Sequence, residues 1–348
     1  MIDFRYHLVS IVAVFLALGI GLLLGATALQ PSTLAGLIKT SQRERHQIDS
    51  LIAGNGQLNR QISSNDQFAA ANAPLMLGQL LAGERVVVIE APGASGQVVS
   101  GIDQALTEAD AIISGHIQIQ SRFFDVSPAT QEQLTQLAQQ FAPAGVTLHG
   151  SPVAQASEVL ADAILTRDGP AQPVAGETDS ASAALLSGFG AGGFLTRTGH
   201  PEARATLAVV VTPDSPSTTS DSNPASQRLV TLAQAVNLVG QGTVMAGSVS
   251  GSGPGSAIDV MRTGSRGGRS RISTVDDADH TIGQIVVAQA LYEQLRGISG
   301  SYGSTSTASA PGPSPAPTPA PTPSASLPAS DGRPSPHAAA ATAGAGKS

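Results

Sequence analysis

The residues able to do metal or nucleophilic chemistry are few in this chain, and their spacing decides which reactions stay open. The densest polar run is Asp276, Asp277, Asp279 and His280. Three carboxylates and an imidazole in so short a stretch are the weak candidates for a metal, as a carboxylate and imidazole site at a strand end, where α/β sheets place ligands. The competing role is structural and better supported by position: Asp279 or Asp277 caps the helix that follows, whose dipole favours acidic groups at its start. Soft metal ions want thiolate or thioether ligands. The chain has no Cys, and its four Met, at positions 1, 76, 245 and 261, show no Met-x-x-Met spacing. His7, His46, His116, His149, His200, His280 and His337 never fall in close pairs, so each reads first as a hydrogen-bonded single residue.

Anion cradles and nucleophiles are no better marked. The turns Pro92-Gly93-Ala94-Ser95-Gly96 and Gly251-Ser252-Gly253-Pro254-Gly255-Ser256 follow strand-like runs and precede helix-like ones. Backbone N–H groups there could hold an anion, but neither turn matches GxGxxG with its acidic partner or a P-loop with its Lys. No GxSxG elbow occurs, and catalysis is not expected.

The elements that carry these residues read as α/β. Arg85 to Glu90 and Leu207 to Thr212 are continuous Val-rich runs, as in strands covered on both faces of a parallel sheet. Each is followed by a turn, a helix-like stretch and a further strand, at 111–119 and 243–249, a weak two-fold βαβ echo. Helices are predicted at 128–141 with Ser127 as N-cap, and at 155–167, 180–186, 224–239 and 279–296. The fold class is a mostly parallel, doubly wound α/β domain over 83–303.

Before it come two helical segments. From Leu8 to Leu29 there is no formal charge, and the stretch would rise roughly 33 Å, one bilayer core. Its length favours an uncleaved anchor over 1–30, although Ala26 and Ala28 form an A-x-A signal-cleavage pattern. Over 31–82 a heptad frame runs through Leu34, Leu37, Ile48, Leu51, Leu58, Ile62 and Ala69, with Ser41, Glu44, Asn55, Asn65 and Asn72 at the other seam positions. Two readings stay open for it: a coiled coil through 34–72 with a second copy or a partner helix, or one amphipathic helix packed on its own domain. Residues 304–348 carry ten of the 23 prolines and three charged residues, Asp331, Arg333 and Lys347, the composition of a disordered tail that buries no core.

Composition narrows the partners. A net charge of −7 and a pI near 5.4 supply no basic stripe for nucleic acid. At 3% aromatic and without Trp, the chain lacks the girdles of an outer-membrane barrel. Expected partners are the membrane, another helix along 34–72, and an envelope protein.

Two stretches carry a family resemblance. The N-terminal run from Ile2 to Leu18 contains RYHLVSIVAVFLAL, and the C-terminal one joins Ser273-Thr274-Val275-Asp276, Gly283-Gln284 and Glu293-Gln294-Leu295 to Gly303. The chain resembles the mycobacterial copper transport protein B (MctB) family from Met1 to about Gly303. That resemblance implies a membrane-anchored envelope protein, its main domain extracytoplasmic, involved in copper transport or homeostasis. A related member, SteB, implies the alternative of a cell-separation scaffold with no transport activity. Neither implies a cofactor: copper would be the ion transported, with no ligand cluster to hold it.

Overall fold

A computed structural model of the chain describes residues 4–28, 30–143, 145–167, 174–214, 224–265 and 271–314. Two helices lead. α1 (Phe4–Ala28) contains a 21-residue span, Arg5–Gly25, of mean hydropathy 2.7, none of it buried inside the protein. α2 (Gln30–Leu77) is 48 residues long and continues through Pro74.

The domain is a seven-stranded sheet in the order β3-β2-β1-β4-β5-β6-β7. Its first unit is β1 (Arg85–Glu90), α3 (Gly96–Glu108) and β2 (Ile112–Ile119). After α4 (Pro128–Phe141), α5 (Pro152–Ile164) and α6 (Ser180–Ala191), the edge strand β3 (Leu195–Gly199) pairs antiparallel with β2. The chain then crosses to β4 (Leu207–Val211), which lies parallel beside β1, and α7 (Pro224–Val239) returns it to β5 (Gly242–Ala246). α8 (Ala257–Ser265), β6 (Ser273–Val275), α9 (Thr281–Leu295) and the short β7 (Ser301–Tyr302) complete it. Every pairing but β2 with β3 is parallel.

The Val-rich strands are buried on both sides, as their lack of alternation predicts. Val87, Ile89, Ala208, Val210 and Met245 face one core with α4 to α8. Val86, Val88, Leu207, Val209 and Val244 face the other with α3, α9 and the end of α2. The βαβ echo is real in space: β1-α3-β2 and β4-α7-β5 run outward in opposite directions from the central β1 and β4 pair.

Both expected domain boundaries move outward. The helix before residue 83 belongs partly to the domain, because Ala69, Ala73, Leu77, Leu80 and Leu81 are buried in the α3 and α9 core. At about 1.5–3 kcal/mol for each fully buried Leu, that docking is a substantial part of the core's stability. The region after 303, expected to bury nothing, instead packs through its first residues. Ser304 and Thr305 donate backbone N–H groups to Asp276, and Ala310 bridges Tyr302. The rest of the expected tail, 315–348, lies outside the described residues.

Helix limits shift more modestly. The helix expected at 155–167 begins earlier, with Pro152 in its first turn, and Ser151 accepts from the Ala154 N–H. The one expected at 180–186 runs on to Ala191. Ser127 does precede α4, but its hydroxyl donates to Asp125 rather than capping the helix.

Candidate functional site

The strand order reverses between β1 and β4, and the crevice outside their carboxyl ends is where such sheets bind ligands. Here the loops after the two strands are tied together: Ala91 N–H donates to Val211 O at 2.9 Å and Asp214 N–H to Gly93 O at 3.0 Å. The first Gly-rich turn thus makes a tight connection, with Gly93 at φ +85. Around the second, Ser250 donates to the Asp214 carboxylate at 3.2 Å and Ser248 donates to the same oxygen. Ser248 also accepts from the Gly251 N–H. Asp214 therefore serves as the acceptor that folds this turn.

The four acidic and imidazole candidates sit at the same edge, after β6, and each has separate work. Asp276 is fully buried against Arg262, with Nη1 and Oδ2 2.6 Å apart. Burial opposes its ionisation, but hydrogen bonds from Thr305, Arg262 and the Ser304 N–H, with the guanidinium charge, outweigh it and hold its carboxyl below the usual range. Arg262 also reaches Thr274, Thr307 and the Tyr302 carbonyl, so the pair fastens residues 301–307 to the domain. Asp277 is half-buried, and its Oδ1 has no hydrogen-bond partner. Burial, then the charges of Asp276 and Asp279, push its carboxyl up to about 6.

The N-terminus of α9 is capped from elsewhere. Its N-cap residue is His280, whose side chain makes no capping bond, in place of the expected Asp279 or Asp277. The oxygen comes from α2: Asp66 accepts the Thr281 N–H at 3.0 Å, and its other oxygen is 3.2 Å from His280 Nδ1. Asp279 accepts from the Val249 N–H and stands 4.0 Å from His280 Nε2. Among the described residues, no three of His, Cys, Asp and Glu form a metal-binding group.

One cluster is not visible in the sequence. His116 on β2 stands between Glu90, at the end of β1, 3.2 Å from its Nδ1, and Asp103 of α3, 3.4 Å from its Nε2. Burial raises the Asp103 carboxyl, with His116 opposing and Glu90 reinforcing the shift. The carboxylates lie on opposite ring nitrogens, so the imidazole bridges α3 to the sheet rather than converging with them on one point. The strand register would find it, since His116 pairs with Val88, two residues before Glu90 on the same face.

Two clefts lie away from that edge. One of about 490 Å³ is bounded by Phe141, Val159, Leu185 and the Arg204–Asp179 pair. The other, about 320 Å³, is lined by Arg167, Arg271, Asn237 and Gln294. Arg167 is engaged there in holding the end of α7, donating to the carbonyls of Gly240 and Asn237.

Comparison with known proteins finds relatives that match most of the chain. A family described as "Copper transport outer membrane protein, MctB" matches residues 1–313. The protein named Copper transporter MctB in Mycobacterium tuberculosis (strain ATCC 25618 / H37Rv) is 29% identical over 314 residues, covering 87% of this chain and 96% of that protein. Its namesake in Mycobacterium leprae (strain TN) is 28% identical over 312 residues, with the same coverage. With nine-tenths of its length matched, the chain belongs to the MctB family.

Proposed function

We propose that the chain serves copper handling in the cell envelope as a membrane-anchored scaffold without catalysis, its α/β domain held on the extracytoplasmic side. The copper role comes from the family and from relatives named copper transporters. The observation that carries the scaffold mechanism is that, among the described residues, one helix of membrane length is joined to a domain whose central strands are covered on both faces. One helix encloses no pore, and strands covered by helices are not lipid-facing barrel strands. Two of the thioethers suited to copper(I), Met245 and Met261, are packed in the core, and Met76 stands exposed on α2 far from them in sequence, which supports the same reading.

The exposed part of α2 favours a second reading, a docking protein of cell separation. One strain experiment separates the two. Deleting the gene should raise copper sensitivity, and the full chain, but not one lacking residues 4–28, should restore tolerance. Purified chain in vesicles should pass no copper. Copper flux through such vesicles overturns the scaffold, and chained cells with unchanged copper tolerance favour the cell-separation role.

A further inference from the structure

The amino edge of the sheet carries a cleft whose charge opposes that of the chain as a whole. Two arginines, Arg167 and Arg271, line it together with Asn237, Gln241 and Gln294. Local structure sets both. Arg167 follows α5, and its Nε and Nη2 donate to the carbonyls of Gly240 and Asn237, at the negative end of the α7 dipole. Those bonds fix the guanidinium and leave part of its donor fork unused. Arg271 stands two residues before Ser273, whose hydroxyl accepts from Gln294 of α9, so strand alternation turns Arg271 toward the same face. A Cβ on Gly242 would collide with Gln294, so glycine there lets the end of α9 close onto β5 and form the wall of the cleft.

No carboxylate among the described residues pairs with either arginine. Glu84 and Asp110, at the same edge, accept from the Thr206 hydroxyl and the Gln79 N–H instead. Asp66, Asp214 and Asp279 gather at the opposite, carboxyl edge. From Val260 to Val275 the sequence holds four Arg and no Asp or Glu, and Asp168 beside Arg167 is one opposing charge. Two like charges on one cleft repel unless an anion stands between them. We propose that this cleft binds a phosphomonoester. The dianion such a group carries near neutral pH matches two guanidiniums, whereas a carboxylate leaves one uncompensated. Guanidinium forks fit phosphate oxygens, and the Asn237 carboxamide beside them adds a neutral donor. A volume of about 320 Å³ lies at the small end of ligand clefts, enough for a phosphate and the first atoms of its ester group. The site goes beyond the copper role and does not rest on it.

Calorimetry of the full chain in phosphatidylcholine nanodiscs, titrated with glycerol 3-phosphate at constant ionic strength, tests it. One saturable site is expected, with acetate weaker by about tenfold or more. Affinity should rise severalfold from pH 5 to 7.5, because the second proton leaves the ester near about pH 6 while arginine stays charged. Arg271→Gln should weaken binding by about tenfold or more and leave the thermal midpoint of the unliganded chain unchanged, since the side chain is exposed. Arg60→Gln makes the same charge change on the exposed part of α2 and should alter neither. Absence of saturable binding, affinity that Arg271→Gln leaves intact, or an equal loss from Arg60→Gln overturns the proposal. Vesicles containing phosphatidic acid, whose headgroup is itself a phosphomonoester, identify the source. Capture of the nanodiscs that Arg271→Gln abolishes supports the site with a lipid as its ligand, and saturable glycerol 3-phosphate binding without capture supports it with a soluble ester.

Discussion

Asp277 shows how a carboxylate can work against the fold that holds it. Its folded pKa of about 6 lies above the ordinary 3.8, because burial and the neighbouring Asp276 penalise the charge. Between those values the native state keeps a proton that the unfolded chain has released. The stabilisation is therefore complete below about pH 4 and lost as pH rises through 6. Asp277→Asn removes the titration, and it should raise stability by about 1–2 kcal/mol at pH 7.5, after allowing for solvent screening of a half-buried group. At pH 4 that gain should vanish. Denaturant unfolding at the two pH values measures it, and a gain independent of pH would place the cause elsewhere. The polar run containing Asp277 was legible in sequence, but its division of labour was not. Asp66 caps α9 from 215 residues away, and Arg262 claims Asp276 across a loop. His116 was hidden for the same reason, because Glu90 and Asp103 become its neighbours only once β1, β2 and α3 are in register.

At the scale of elements, hydrophobic continuity predicted what the core needed. Strands 85–90 and 207–211 stand where their Val runs lie, and α7 has the limits its pattern gave. β3 and β7 carried no such signal: four of the five β3 residues are exposed, and β7 is two residues long. The segment after β7 was misjudged because its composition, rich in Ser, Thr and Pro, hides specific bonding. Thr305 bonds Asp276 through both its N–H and its hydroxyl, and Thr307 bonds Arg262. Removing 304–348 leaves the buried Asp276 carboxylate short of three donors, at about 1–3 kcal/mol for each polar group left unsatisfied. Its thermal midpoint should fall by several degrees. Cutting after Ser314 keeps every one of those bonds and should leave the midpoint near that of the full chain. Equal midpoints for both truncations would mean that the strap contributes nothing to stability.

The whole molecule has a direction, set by how α2 meets the domain. Asp66 meets the start of α9, which follows β6 at the carboxyl edge of the sheet, whereas Leu81 bonds Ala109 just before β2 begins at the amino edge. α2 therefore runs down the domain from carboxyl edge to amino edge, and its preceding residues, 30–65, extend roughly 50 Å back toward α1. The chain's route to the membrane-length helix α1 leaves from the edge that carries Asp214, Ser248, Asp277 and His280. The arginine-lined cleft opens at the far edge. A fluorophore on Pro254→Cys, in the exposed turn at the carboxyl edge, should transfer energy to headgroup acceptors in the vesicle more efficiently than one on Arg296→Cys, exposed at the end of α9. Because the labels are separated by about the depth of the sheet, some 20–30 Å, the difference is large against the distance sensitivity of the transfer. Equal or reversed efficiencies would show that the stalk bends and returns the amino edge to the bilayer. The cleft beside Arg167 and Arg271, rather than the loops after β4, β5 and β6, would then be the surface presented to the membrane.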